Sequence, residues 1–332
     1  MKVSVIATVL NEGASLQRLL DSLAAQTRMP DEVIIVDGGS RDATLSILQA
    51  AVQAGRLPLR VLVEPGANIS RGRNVAVAAS SGEVIASTDA GVRLAPEWLA
   101  ALVAPFERTS PPQVVSGVFV PDVETTFEIA MAATVLPTLA EIKPERFLPS
   151  SRSVAFTRRA WEAVGGYPEW LDYCEDLVFD LRLRQRFHPF GFAPGAVAYF
   201  RPRSRLGSFF RQYYLYARGD GKADLWRKRH LVRYLTYLVA LPLLLWLGWW
   251  VSPWWWLALI AGAAAHLYVP YRRLWPWLRT LPWRERLIAV GWVPVIRVTG
   301  DVAKMLGYPV GLLWRWKRLR HHPELDWRRP SP

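Results

Sequence analysis

At 332 residues the chain is long enough for one large domain and an appendage, and its hydrophobic content of 51% is more than a purely soluble protein of that size needs. A single cysteine, Cys174, excludes an intrachain disulfide and every multi-cysteine metal site. The formal charge of +13 gathers in Arg227 to His230, Arg272 to Arg273 and Arg315 to His322, each beside an apolar stretch, which fits the cytoplasmic face of a membrane and leaves no aromatic-interleaved basic stripe for nucleic acid.

Val3 to Val9 reads as a buried strand, Asn11-Glu12-Gly13 as a turn, and Ser15 to Gln26 as an amphipathic helix with Leu16, Leu19, Leu20 and Leu23 on one face. The run from Val3 lacks the basic, apolar and cleavage regions of a signal peptide, so the first domain is expected to stay in the cytoplasm. A strand at Val33 to Val36, a helix at Asp42 to Ala54, a strand at Val61 to Val63, a helix at Arg71 to Ala79 and a strand at Val84 to Ser87 follow. This alternation predicts an α/β fold, a mostly parallel sheet with helices on both faces. Ligands of such sheets sit outside the carboxyl ends of the strands, where Thr8, Asn11, Glu12, Asp37 and Asp89 fall.

Residues 1–225 are expected to form this domain, 1–110 receiving a nucleotide and 111–225 an acceptor. The second half carries a strand at Val114 to Val120, a helix at Glu128 to Ala140 and a Gly-Gly-Tyr-Pro turn at 165 to 168. Residues 226–332 then form a membrane region. Leu231 to Val251 can cross a ~30 Å hydrocarbon core, and 254–270 is a second, shorter span after the Ser252-Pro253 turn. Tryptophans 249, 250, 254, 255 and 256 gather at the tip of this hairpin, and basic residues flank both open ends, which predicts a multi-pass inner-membrane protein with a cytoplasmic catalytic domain. Residues 287–313 carry Arg297, Asp301 and Lys304 mid-way and are expected to be interfacial or re-entrant, with a basic tail at 314–332.

Two acidic clusters end apolar strands: Asp37-Gly38-Gly39-Ser40-Arg41-Asp42 and Thr88-Asp89-Ala90-Gly91. Between them Arg71-Gly72-Arg73-Asn74 offers forked guanidinium donors at a helix start. Acids for base and ribose with arginines for a diphosphate read as nucleotide recognition. Simpler roles stand beside this reading: Asp42 as a helix cap, Asp89 as a turn cap, Arg71 and Arg73 as solvated charges, and Glu175-Asp176 as an acidic helix start.

In order, spacing and strand context, Asn11-Glu12, Val36 to Thr44, Arg71 to Asn74, Thr88 to Gly91, Gly165 to Glu169 and Glu175-Asp176 resemble the family-2 nucleotide-sugar glycosyltransferases of GT-A fold. The resemblance implies an inverting transfer from a nucleotide sugar to a lipid-linked or saccharide acceptor. It places the base at Asp176 beside Glu175, and the donor on Thr8, Asn11, Glu12, Asp37, Gly39, Ser40, Arg71, Arg73, Asn74, Thr88 and Asp89. A divalent Mg²⁺ or Mn²⁺ is implied at Asp89, although Gly91 replaces the family's second carboxylate. Gln212, Tyr216 and Arg218 stand near the Gln-x-x-Arg-Trp signature of processive synthases as acceptor residues, with Leu215 in the arginine position. A sugar nucleotidyltransferase would need a glycine-rich basic loop where Asn11-Glu12-Gly13 stands, and a scaffold with a decayed transferase domain is suggested by Gly91 and Leu215.

Overall fold

The computed structural model describes residues 1–328, which form two compact units. The first comprises Met1–Asp122, Leu139–Arg201 and residues 324–328; the second comprises Val123–Thr138 and Pro202–Pro323. Residues 329–332 of the expected basic tail lie outside the described residues.

In chain order the first unit runs β1 (Val3–Val9), α1 (Ser15–Ala24), β2 (Glu32–Asp37), α2 (Thr44–Ala54), β3 (Leu59–Val63), α3 (Ile69–Ala79), β4 (Val84–Ser87), β5 (Val92–Leu94), α4 (Trp98–Val103) and β6 (Val114–Pro121). After α5 (Thr126–Val135), which belongs to the second unit, it resumes with β7 (Val154–Thr157), α6 (Arg158–Ala163), α7 (Glu175–Phe187) and β8 (Gly191–Phe200). The strands form one sheet in the order β3-β2-β1-β4-β7-β6-β8-β5. The first four are parallel, as expected, whereas β7 runs antiparallel to both β4 and β6, and β5 antiparallel to β8. The second half of the sheet is therefore mixed.

Alternation along the strands sorts the core onto two faces. Val3, Val5, Ala7 and Val9 of β1 pack with Leu16, Leu19 and Leu23 of α1 and Trp98 and Leu99 of α4. Ile6, with Ile34 and Val36 of β2, packs on the opposite face with Ala76 and Val77 of α3 and Phe179 and Leu183 of α7. The chain leaves β1 toward β2 and β3 on one side and returns to β4 on the other, so the crevice at the carboxyl ends of β1 and β4 is the switch point.

The second unit is helical. It consists of α5, α8 (Leu206–Ala223), α9 (Arg227–Tyr234), α10 (Leu241–Trp250), α11 (Trp255–Leu278) and α12 (Trp283–Leu319). The expected domain boundary at 225 thus falls at 201 instead, because Phe209 of α8 packs with Ile129 of α5 and Val293 and Ile296 of α12. A π-helical turn, Leu235–Ala240, joins α9 to α10 without a break. It ends two residues before Pro242, which has no N–H to donate to the previous turn.

Arg227–Trp250 is the one described helix long and apolar enough to cross a membrane, and it is almost wholly exposed. The partner arm, α11, carries Arg272, Arg273, Pro270 and Pro276 and does not meet that description, so the multi-pass expectation lacks its second crossing here. The two arms do form a tight hairpin: a Cβ on Gly248 would come within 2.9 Å of the Trp256 ring. The expected interfacial or re-entrant segment 287–313 lies inside one continuous 37-residue helix that passes through Pro294 and Pro309.

Candidate functional site

The loops after β1 and β2 are stitched together before any ligand arrives. Thr44 Oγ1 accepts the backbone N–H groups of Glu12 and Gly13, each at 2.9 Å. Asn11, held at φ +55°, accepts Arg41 N–H on its Oδ1 at 2.9 Å, and its own N–H donates to Ser40 Oγ at 2.9 Å. Asp37 is buried beneath this loop and accepts from Gly39 N–H (3.1 Å), Ser40 N–H (2.9 Å) and the Ser40 hydroxyl. Gly39 stands at φ +94°, a conformation that glycine adopts without the usual side-chain penalty. Asp42 Oδ1 accepts Thr44 N–H at 3.0 Å, which closes a local turn one residue ahead of Ala43, the cap of α2. Its hydrogen bonds with Thr44 hold that carboxyl below its ordinary range.

Helix α3 carries the centre of the site. Asn68 caps it by accepting Arg71 N–H at 2.9 Å, and Gly72 lets it lie against β1, since a Cβ there would come within 2.7 Å of Thr8 Cγ2. One residue on, Arg73 is 2% exposed. Its Nη1 donates to Glu175 Oε1 at 2.7 Å and its Nη2 to Asp89 Oδ1 at 2.8 Å, while the guanidinium lies 5.2 Å from the Tyr167 ring centroid. Burial alone would depress its pKa, but the flanking Asp89 and Glu175 carboxylates raise it. Arg73 is therefore a permanent cation bridging the carboxylate after β4 to the acidic start of α7.

Arg152 approaches the other Asp89 oxygen, Nε to Oδ2 3.5 Å, with its guanidinium over the faces of Phe200 and Phe119. Asp89 keeps about a quarter of its side chain exposed. Helix α7 begins after Cys174, which stands in the left-handed region at φ +64° and turns Glu175 and Asp176 into the first turn. Glu175 is buried, and burial together with the Asp176 charge raises its pKa against the pull of Arg73. Asp176 is half-buried and accepts Leu177 N–H at 2.8 Å. One turn further, Asp180 is fully buried, its Oδ2 has no hydrogen-bond partner among the described residues, and burial pushes its carboxyl well above the usual range.

Other expected site residues are placed differently. Arg71 pairs with Glu64, Nη2 to Oε1 2.6 Å, and is half exposed. Asn74 spends its amide within the fold, donating to Tyr167 O and Glu169 Oε1 and accepting from Trp161 Nε1 and Tyr167 N–H. It fastens α3 to the Gly-Gly-Tyr-Pro turn, so its amide is not left open for a donor. Thr88 is buried and donates to Arg152 O at 3.1 Å. Gln212 and Tyr216 belong to the second unit, where Gln212 Nε2 donates to the Tyr216 hydroxyl at 2.8 Å; Arg218 lies on the same helix. Arg152 and Asp180 are not among the expected site residues, and Tyr167 is expected only as part of the Gly-Gly-Tyr-Pro turn. Asp180 has a signal in its i,i+4 spacing from Asp176 on one helix.

The donor set suits a divalent cation in one respect that the motif did not suggest. A Cβ on Gly91 would meet only Glu12 Oε2, at 3.8 Å, so a carboxylate from the β1 loop reaches the place where the second carboxylate of the motif would begin. Asp89 and Glu12 are hard oxygen donors of the kind Mg²⁺ and Mn²⁺ use beside a diphosphate. Among the described residues no group of three or more His, Cys, Asp or Glu side chains is placed to hold a metal.

Residues 4–156 match the family model described as Glycosyl transferase family 2. An undecaprenyl-phosphate 4-deoxy-4-formamido-L-arabinose transferase of Pseudomonas fluorescens is 33% identical over 112 residues, 32% of this chain and 32% of the relative. Glycosyltransferase AglE of Haloferax volcanii is 26% identical over 252 residues, 73% of this chain and 80% of the relative. The chain spans only about a quarter to a third of the length of the first curated relatives it matches. The solved mannosyltransferase PcManGT from Pyrobaculum calidifontis, in complex with GDP-Man and Mn²⁺, superposes with a TM-score of 0.64 at 19% identity, covering 92% of this chain and 87% of that one. At that identity the likeness establishes the fold, a GT-A-like α/β fold.

Proposed function

We propose, from the match of residues 4–156 to glycosyl transferase family 2, that the chain moves a sugar from a nucleotide-diphosphate donor to a lipid-linked or membrane-proximal acceptor, with inversion at the anomeric carbon, in polysaccharide or glycolipid synthesis. The observation that carries the reading is the Arg73 bridge, which ties Asp89 at the switch point to Glu175 beside Asp176.

In this reading the acceptor hydroxyl attacks the anomeric carbon as the bond to the diphosphate breaks, and Asp176 takes the hydroxyl proton. Asp176 is the half-buried member of the pair, whereas Glu175 is committed to Arg73 and holds the start of α7 in place. The stitched β1 and β2 loops present the base and ribose side of the site through Asn11, Gly39 and Ser40. Arg152 sits against Asp89, where a diphosphate oxygen would be stabilised by a fixed cation. Bound at Asp89 and Glu12, Mg²⁺ or Mn²⁺ would neutralise charge on the departing diphosphate.

The second unit supports attachment to a membrane through Arg227–Trp250, with Arg227, Lys228 and Arg229 on the cytoplasmic face of the inner membrane. If both arms of the hairpin cross, Ser252→Cys labels from outside intact cells and His321→Cys does not.

Calorimetric titration of nucleoside diphosphates into detergent-solubilised protein, with and without Mn²⁺, tests the donor half. One diphosphate is expected to bind, more tightly with Mn²⁺, and to lose binding in Asp89→Ala. Asp176→Asn is expected to keep that binding and lose about 10²–10⁴-fold in transfer rate, the range of a positioned general base. Failure of every diphosphate to bind would replace this reading with a non-catalytic scaffold.

A further inference from the structure

The second unit holds a polar cluster that the transfer chemistry leaves unused. Asp301 of α12 is 4% exposed and accepts from Arg233 Nε at 2.7 Å and from the Tyr237 hydroxyl at 3.1 Å. His266 Nε2 of α11 lies 3.2 Å from its Oδ2, and Arg297 Nε, one turn earlier on α12, 3.8 Å. Lys304 follows one turn later, its ammonium 4.8 Å from the Tyr213 ring centroid.

The charges in this cluster do not balance. One buried carboxylate serves two arginines, and among the described residues Lys304 has only the Tyr213 ring, with no hydrogen-bond acceptor and no ion-pair partner. Arg297 donates through Nε to His266 Nε2 at 3.2 Å, and its two terminal nitrogens are left over. Asp220 also attracts Lys304 but does not reach ion-pair distance of it, and it accepts from His230 Nε2 at 3.2 Å, so Arg233, Arg297 and Lys304 share two carboxylates between them. Cationic excess inside an apolar bundle is costly unless an anion completes it. A guanidinium fork beside an ammonium matches the oxygens of a phosphate ester, which carries close to two negative charges near neutral pH. On the same unit Leu235, Leu238 and Trp246 are each about half exposed or more, an apolar surface that suits a hydrocarbon chain.

We infer that Arg297 and Lys304, backed by Arg233, bind the phosphate headgroup of a lipid whose chain lies along the helical unit. The inference deepens the reading of a lipid-linked acceptor, and rests on it, by naming where the phosphate of the carrier lipid is held; the hydroxyl that reacts belongs to the group that the lipid carries. Asp301 is then the positioning residue that fixes Arg233 and Arg297 for the headgroup.

Calorimetry on the full-length protein in dodecyl maltoside, with farnesyl phosphate, farnesol and inorganic phosphate as separate titrants, tests the site. Farnesyl phosphate is expected to bind at least about tenfold more tightly than either of the others, because charge and chain both contribute. Lys304→Gln and Arg297→Gln should each weaken it by about tenfold or more, and Lys304→Arg should largely preserve it. Arg297, a third exposed, carries the test should Lys304→Gln lose its helical melting transition. Equal binding of farnesol, equal binding of inorganic phosphate, or glutamine variants that bind like the parent would each overturn the inference. Nucleoside diphosphate binding is measured in the same samples: its persistence while farnesyl phosphate fails sinks this site alone, and its absence sinks the transferase reading.

Discussion

The chain contains two buried ionic clusters with opposite imbalances. Around Arg73 in the first unit, one enclosed guanidinium answers Asp89 and Glu175, with Asp176 and Asp180 close behind on α7. Around Asp301 in the second unit, one enclosed carboxylate answers Arg233 and Arg297, with Lys304 one turn away. The contrast teaches that a buried pair is neutral in itself and that the surplus around it determines what it recruits. An acid-rich centre takes up protons and cations, as the proposed base and metal-assisted diphosphate site require. A cation-rich centre takes up an anion.

Removing the central charge from the first cluster should have the largest effect. Arg73→Leu strands Asp89 and Glu175, and a loss of about 3–5 kcal/mol is expected, the usual cost of leaving a buried charge uncompensated. Urea denaturation measures it, and a loss below about 1 kcal/mol would mean that the bridge is not what holds α7 to α3.

The acidic surplus also predicts a pH dependence. Asp180 has a folded-state pKa raised by burial, so the folded protein holds a proton that the unfolded chain releases. Its contribution is complete below the ordinary carboxylate range near pH 4 and is lost as pH rises above it, at up to about 1.4 kcal/mol per pH unit. Glu175 adds to the same trend. Asp180→Asn should flatten the decline between pH 5 and pH 8; an unchanged slope would show that Asp180 is ionised throughout.

A smaller effect sharpens the metal side. Gly91→Asp restores the missing carboxylate where Cβ has room, and Mn²⁺ affinity is expected to rise by about tenfold. Glu12→Gln should lower it, and an unmoved affinity in Glu12→Gln would remove Glu12 from the site. Least of all should follow from Arg71→Ala, whose partner Glu64 is a surface one, and nucleoside diphosphate binding should stay within error.

Much of the first unit was legible because buried parallel strands are written as continuous apolar runs, and β1 to β4 fall where those runs stand. The mixed half was harder. β8 contains Pro194 and Gly195, residue types that disfavour a strand interior, yet it pairs with both β6 and β5. Asn74 shows a limit of motif reading: its position beside Arg73 suggested a donor contact, whereas Tyr167, Glu169 and Trp161, about ninety residues away, consume its amide. Arg152 gave no sequence signal, since nothing local distinguishes it from a surface arginine. Residues 287–313 were read as interrupted by charge, but Arg297 and Asp301 are neighbours on one helix face and partly satisfy one another without breaking it.

The seam between α8 and α12 has a consequence for how this architecture can change over time. A Cβ on Gly307 would come within 2.2 Å of Tyr214 O, one on Gly311 within 2.1 Å of Arg218 O, and one on Gly221 within 2.3 Å of Tyr308 O. Backbone meets backbone along that line, leaving no side chain to absorb a substitution on either helix. The two helices are therefore heritable only as a matched set. A chimaera that exchanges α8 between relatives without its α12 should fail to assemble, whereas one that carries both can be grafted as a single cassette.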